Sequence, residues 1–202
     1  DPQRLIAGGS PRFDAYVRDR EEGQTRGKKL VGQLGLDATR PILLVAVPSS
    51  EAYINSVDSY QLADFFDTVR LVQKDSPGLQ IIFKCRTPRS VVGLEPYLHD
   101  MFTTDWAITG TDDSLALLLA SSAVVCNNST FLYHAVLARK PLVLYPWKRF
   151  DSYHAAMYAP FIPLIYDKDE AVRVVSRIYS DPSYAAKLMA GQRRFLERYS
   201  FD

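Results

Sequence analysis

Cysteine is nearly absent from this 202-residue chain, which has only Cys85 and Cys126. Two thiols cannot build a disulfide framework, and they form no C-x-x-C pair. That usage fits a reducing compartment. Histidine is as sparse: His99, His134 and His154 include no H-x-x-H, so no structural zinc site is expected. No apolar run reaches the roughly 18 residues that mark a membrane-spanning helix. The opening residues, DPQRLIAGGSPRFD, lack the basic and apolar regions of a signal peptide. Charge of one sign is missing too. The 24 Lys and Arg against 23 Asp and Glu leave a formal net charge of +1. Nothing global therefore favours nucleic acid or an anionic membrane. The signatures G-x-S-x-G, G-x-x-x-x-G-K-[ST] and G-x-G-x-x-G do not occur. Serine hydrolase, P-loop NTPase and ordinary NAD enzyme readings lose support accordingly.

What the chain does have is a succession of short apolar runs separated by helical patterns. Hydrophobic residues make up 47% and charged residues 23%, ordinary values for a globular domain. Residues 42–47, 79–83, 106–109, 123–126 and 141–145 read as strands, with further short strands possible at 4–7 and 163–166. Leu62, Phe65, Phe66, Val69 and Val72 give residues 60–74 one apolar helical face. Shorter helices are expected at 94–102, 115–121 and 131–138, and two longer ones at 168–179 and 183–199. Residues 18–29, charged and holding two glycines, read as an exposed helix end or loop, followed by a stop at Gly35. Strands apolar on both faces and alternating with helices define an α/β fold, doubly wound around a mainly parallel sheet. A single domain over 1–202 is expected: a leading segment 1–40, a core sheet 41–166 and C-terminal helices 167–202.

Three polar segments follow predicted strands. Asn127-Asn128-Ser129-Thr130 lies between the strand 123–126 and the next helix. Ligands in such sheets bind at the carboxyl ends of strands. A helix start there offers unpaired N–H groups and a positive dipole end, which suit a phosphate. The same residues also serve as plain helix caps, so the turn alone leaves both roles open. In Thr109-Gly110-Thr111-Asp112-Asp113, Gly110 permits a base or ribose to come close, or the segment is a capped turn. Lys84-Cys85-Arg86-Thr87-Pro88-Arg89 places three cations in a basic loop over 84–90, suited to phosphate or simply solvated. Three loops from three strands of one sheet would converge on one edge, which favours a nucleotide site built from Lys84, Arg86, Thr109, Gly110, Asp112, Asn127, Asn128, Ser129 and Thr130. Gly9, Ser10 and Arg12 form a further candidate phosphate turn. Residues 146–160 read as an aromatic loop, a lid, an acceptor wall or a packed surface. His154 within it is the candidate acid or base, without a visible partner. His134 reads as a packing residue.

The order of these motifs resembles the C-terminal, nucleotide-donor half of a GT-B-fold glycosyltransferase. Its nearest likeness is to the group around the CDP-glycerol glycerophosphotransferases and Kdo-type capsule transferases. Gly9-Ser10-Pro11-Arg12-Phe13-Asp14 stands where that group has Gly-Pro-Arg-x-Asp. Phe83-Lys84-Cys85-Arg86-Thr87-Pro88 stands where a strand ends in Lys-x-His-Pro, with Arg86 in place of His. A strand, acidic turn and leucine-rich helix follow over 105–121, then the turn 126–130, where Asn127 opens a segment that is usually Asp-Tyr-Ser-Ser. A helix leading to a Lys-Pro strand closes the series at 138–145. The likeness spans residues 4–155. It implies a Rossmann-like fold and transfer of a sugar or glycerol phosphate from a CMP-, CDP- or UDP-linked donor to a surface-polysaccharide or lipid-linked acceptor. It implies no cofactor and no metal, and a cytoplasmic location, with attachment at the inner membrane face as a variant. The catalytic base would come from an N-terminal domain, making this chain half of an enzyme. Two other readings stand beside it: a UDP-sugar 2-epimerase-like isomerase, and a non-catalytic α/β module whose interface is the loop 146–160.

Overall fold

The computed structural model describes residues 14–47, 59–110, 113–127, 129–146 and 151–199. The expected strand at 4–7, the phosphate turn of Gly9, Ser10 and Arg12, and Asp112, Asn128 and residues 147–150 lie outside them. The chain opens with helices α1 (Ala15–Arg18) and α2 (Arg20–Gln33). Strand β1 (Ile42–Ala46), α3 (Ser59–Asp75), β2 (Gln80–Lys84) and α4 (Pro88–Met101) follow. Next come β3 (Trp106–Thr109), α5 (Ser114–Ala120), β4 (Ala123–Cys126), α6 (Phe131–Leu137) and β5 (Leu142–Leu144). Helices α7 (Ser152–Tyr158), α8 (Lys168–Ser180) and α9 (Pro182–Tyr199) complete the order.

The five strands pair in parallel in the order β3-β2-β1-β4-β5. Side-chain alternation divides the core into two layers. Leu43, Val45, Ile81, Phe83, Val125 and Val143 pack with α3, α4 and α8. Ile42, Leu44, Ile82, Val124, Leu142 and Leu144 face the other layer, which includes α5, α6 and α9. Helices on both faces bury β1, β2, β4 and β5 completely, hence their unbroken apolar runs.

Four local expectations are corrected. Residues 18–29, expected as an exposed helix end or loop, are helical rather than loop: α2 runs through Arg20–Gln33 and buries Gly23 and Gly27. These glycines, four residues apart, share one helix face and let α2 lie directly on α5. A Cβ at Gly27 would stand 2.2 Å from the Ala116 carbonyl oxygen. Arg26 adds an ion pair to Asp113 at 2.9 Å, while Asp113 caps α5 by accepting from the Ala116 N–H at 3.0 Å. The basic loop ends early, because α4 starts at Pro88 rather than near residue 94. Thr87 is its N-cap, accepting from the Ser90 N–H, and proline suits the first helical position. The segment 146–160 contains α7, capped by Asp151. The sixth strand shrinks to one parallel bridge, Leu144 to Leu164; Pro163 has no N–H with which to extend a ladder. The expected stop at Gly35 is present, with φ of 76° just past the C-cap Leu34.

Candidate functional site at the carboxyl edge of the sheet

With β1 central, strand order reverses between β1 and β4, and a crevice outside the carboxyl ends is the ligand position such a switch point creates. Of the predicted site residues, Lys84, Thr109 and Asn127 stand at or just past the strand ends on this edge. Lys84 ends β2 and is paired with Thr109, the last residue of β3. Cys126 ends β4 and is paired with Ala46 of β1, so Asn127 lies beside the switch point. From β3 to β4 is three strand spacings, roughly 14 Å. The three loops therefore share one edge, with β1 between the ends of β2 and β3 at Lys84 and Thr109 and the Asn127 turn.

Their side chains differ in what they already do. Lys84 is 8% exposed, and its ammonium donates to the Cys85 carbonyl at 2.7 Å. Arg86 and Arg89 are exposed. Gly110 does permit a close approach, but to the chain itself: a Cβ there would lie 2.6 Å from the Pro88 nitrogen and 2.7 Å from the Thr87 carbonyl carbon. Gly110 thereby seats the end of β3 against the start of α4.

The Asn127 turn closes around a thiol. The Cys126 sulfur accepts from the N–H groups of Ser129 and Leu132, and its S–H donates to the Asn127 carbonyl at 3.1 Å. Burial pushes this thiol up to about 12 and that of Cys85 up to about 11, so both stay protonated and inert at neutral pH. Thr130 occupies the N-cap of α6 without a side-chain capping bond. The Ser129 hydroxyl accepts from the Phe131 N–H at 3.2 Å instead. Several of the first N–H groups are thus used within the turn, and exposed Thr130 is its outward member. His134 packs as expected, its Nδ1 hydrogen-bonded to the Tyr16 hydroxyl at 2.5 Å.

His154 acquires the partner that the sequence reading lacked. Asp151 accepts the His154 backbone N–H through Oδ1 at 2.9 Å and meets its ring Nδ1 through Oδ2 at 2.7 Å. These contacts hold the Asp151 carboxyl below its usual range. A D-x-x-H spacing at a helix start was the sequence signal for this pair. Tyr133 and Tyr158, also missed, join α6 to α7 through hydroxyls 3.2 Å apart. Among the described residues, no group of three or more His, Cys, Asp or Glu is placed to hold a metal ion. No described helix is long and apolar enough to cross a membrane.

An all-parallel five-stranded layer of this order is Rossmann-like and matches one half of the GT-B glycosyltransferases. No protein-family model matches the chain. Among curated proteins it is similar to the lipid-A-disaccharide synthase of Burkholderia lata, 27% identical over 149 residues, covering 71% of this chain and 36% of that protein. The chain thus spans about a third of the length of the curated relatives it matches. Among solved structures it resembles the H548A form of the wall teichoic acid polymerase TagF, with a TM-score of 0.68 and 14% identity over 100% of this chain and 49% of that one. It also resembles Anabaena Alr3699/HepE in complex with UDP-glucose, with a TM-score of 0.64 and 14% identity over 96% of this chain and 53% of that one.

Proposed function

We propose that the chain is the donor-binding domain of a transferase that moves a sugar, or glycerol phosphate, from a nucleotide-linked donor to a polysaccharide or lipid acceptor of the cell envelope. The observation that carries this is the convergence of the β2, β3 and β4 loops on the switch-point edge of a parallel sheet. The UDP-glucose bound by HepE supports a nucleotide-sugar donor, and the name of the Burkholderia relative, a lipid-A-disaccharide synthase, supports a glycolipid product. In this reading Thr130 and Ser129, with Asn127 and Asn128, face the donor phosphates. Lys84 and Arg86 offset their charge, and Thr109, Gly110 and Asp112 lie towards the ribose and base. Such groups act by stabilising the charge that develops on the departing nucleotide. The reading requires no metal. The base that activates the acceptor comes from a second domain, and the enzyme works in the cytoplasm, with attachment at the inner membrane face as a variant.

Calorimetric titration of the chain with CMP, CDP, UMP and UDP tests the proposal. At least one should bind, and Thr130→Ala together with Arg86→Ala should weaken it, on the order of tenfold for two lost phosphate contacts. Failure of all four nucleotides to bind at millimolar concentration would refute the reading.

A further inference from the structure

The formal net charge of +1 conceals an uneven distribution. Helix α9 alone carries Lys187, Arg193, Arg194 and Arg198 against one acid, Glu197, so the rest of the chain is net acidic. All five of these residues are exposed. Leu188, Gly191, Gln192, Phe195 and Leu196 form the buried side of the helix. The cations project from the opposite side. Lys187, Arg194 and Arg198, at spacings of seven and four, make one stripe, and Arg193 flanks it. Ser183, Ala186 and Ala190 are exposed on the same side. Their short side chains leave the ammonium and guanidinium groups as the outermost part of this face.

Several cations elsewhere are tied to carboxylates: Arg26 to Asp113, Arg40 to Asp105 and Arg177 to Asp181. Among the described residues, the four on α9 form no ion pair or hydrogen bond. A helix dipole favours cations in the last turn, and of the four only Arg198 stands there. Arg194 and Arg198, four residues apart, repel each other. A face that gathers like charge without partners is complementary to an anionic surface. We propose that the exposed face of α9 docks on a membrane containing anionic phospholipid. The choice of a lipid surface over an acidic protein rests on the envelope acceptor of the proposed function. The apolar side of α9 is packed in the core, so the helix lies against the headgroups and does not insert among acyl chains. Its cations then sit within a Debye length of the headgroups, about 8 Å at physiological salt, where the negative surface potential acts on each of them.

The test is cosedimentation of the chain with vesicles of phosphatidylcholine alone, or of phosphatidylcholine with about 30% phosphatidylglycerol, in about 0.1 M NaCl. The chain should partition onto the anionic vesicles and not onto the neutral ones, and about 0.5 M NaCl should release it. Lys187→Gln and Arg194→Gln should each lower the partition coefficient about fivefold, and together roughly 25-fold, the effect of one and of two charges near such a surface. Lys74→Gln, at the exposed end of α3, makes the same change in net charge and should leave partitioning nearly unchanged. Circular dichroism and the thermal midpoint should match wild type for all three substitutions, because each residue is exposed. No binding to anionic vesicles, equal binding to neutral ones, or α9 variants that partition like wild type would each overturn the inference. Self-association lost in the α9 variants, without vesicle binding, would make the face a protein interface and overturn it as well. Titration of the same proteins with CMP, CDP, UMP and UDP keeps the two readings apart. Nucleotide binding without vesicle binding refutes the docking face alone, and vesicle binding without nucleotide binding refutes the donor reading alone.

Discussion

Replacing Gly27 with alanine should destabilise the fold, although alanine is the better helix former. Two effects oppose each other. Removing glycine from a helix interior gains about 0.5–1 kcal/mol. Against that, the new Cβ would lie 2.2 Å from the Ala116 carbonyl oxygen, 3.0 Å from the Ala120 Cβ and 3.1 Å from the Ala116 carbonyl carbon. The closest of these is more than about 1 Å inside ordinary contact. Two of the atoms it meets belong to backbone in α5, which no rotamer change can move. Overpacking of this kind costs about 1–3 kcal/mol or more, so the net effect is a loss of about 1–2 kcal/mol. For a domain of this size that lowers the thermal midpoint by about 2–4 °C per kcal/mol. Gly32, on the same helix, supplies the control: a Cβ there meets nothing within 4 Å. Gly32→Ala should therefore stabilise by about 0.5–1 kcal/mol. Urea unfolding followed by circular dichroism measures both. A Gly27→Ala protein at least as stable as wild type, with an unchanged m-value, would refute the α2–α5 contact.

Two further outcomes follow from buried groups. The Lys140 ammonium donates to the carbonyls of Leu119 at 2.9 Å and Ser121 at 2.7 Å at the end of α5, and burial lowers its pKa from 10.5 to about 8. The unfolded chain then holds more protons between pH 8 and 10.5, so this residue's contribution rises with pH across that window. The stability of wild type relative to Lys140→Met should increase from pH 8 to 10; a difference flat in pH would contradict the shift. Cys85 and Cys126 should react with a disulfide reagent such as DTNB only as fast as the protein opens, since both are buried and raised in pKa. Rapid labelling of the native protein would show that the β4–α6 turn is not closed around its thiol.

The sheet was legible because burial on both faces leaves no alternation to interpret: all five runs read as strands are strands, within a residue or two at each end. Helix α2 was not, because its contact is made by missing side chains. Arg20–Gln33 carries no apolar stripe, and its charges suggested solvent. Only the four-residue spacing of Gly23 and Gly27 signalled a close helix pair. Helix α7 was masked by the proline and aromatics before it, though the Asp151 cap was visible. In the site, strand-end placement could be read from sequence, but occupancy could not. That Gly110 is filled by Thr87 and Pro88 depends on neighbours distant in the chain, and that the Asn127 turn spends N–H groups on Cys126 depends on a local backbone path that residue types alone do not specify.

The two edges of the sheet differ in how many of their polar side chains the chain itself uses. At the amino edge the chain satisfies itself. Gln80 exchanges two bonds with the Asp37 backbone, at 2.6 and 2.8 Å. Gln192 bridges the Leu142 N–H and the Lys140 carbonyl at 2.9 and 2.8 Å. Arg40 joins Asp105 at 2.7 Å and the Gly78 carbonyl. Lys140 caps α5 from the same side. Removing any of these leaves a buried or half-buried partner exposed to a desolvation cost, so each is explained by stability. At the carboxyl edge Arg86 and Thr130 are exposed. In the donor-binding reading, Arg86 and Thr130 are the exposed members of this edge that would meet the donor phosphates.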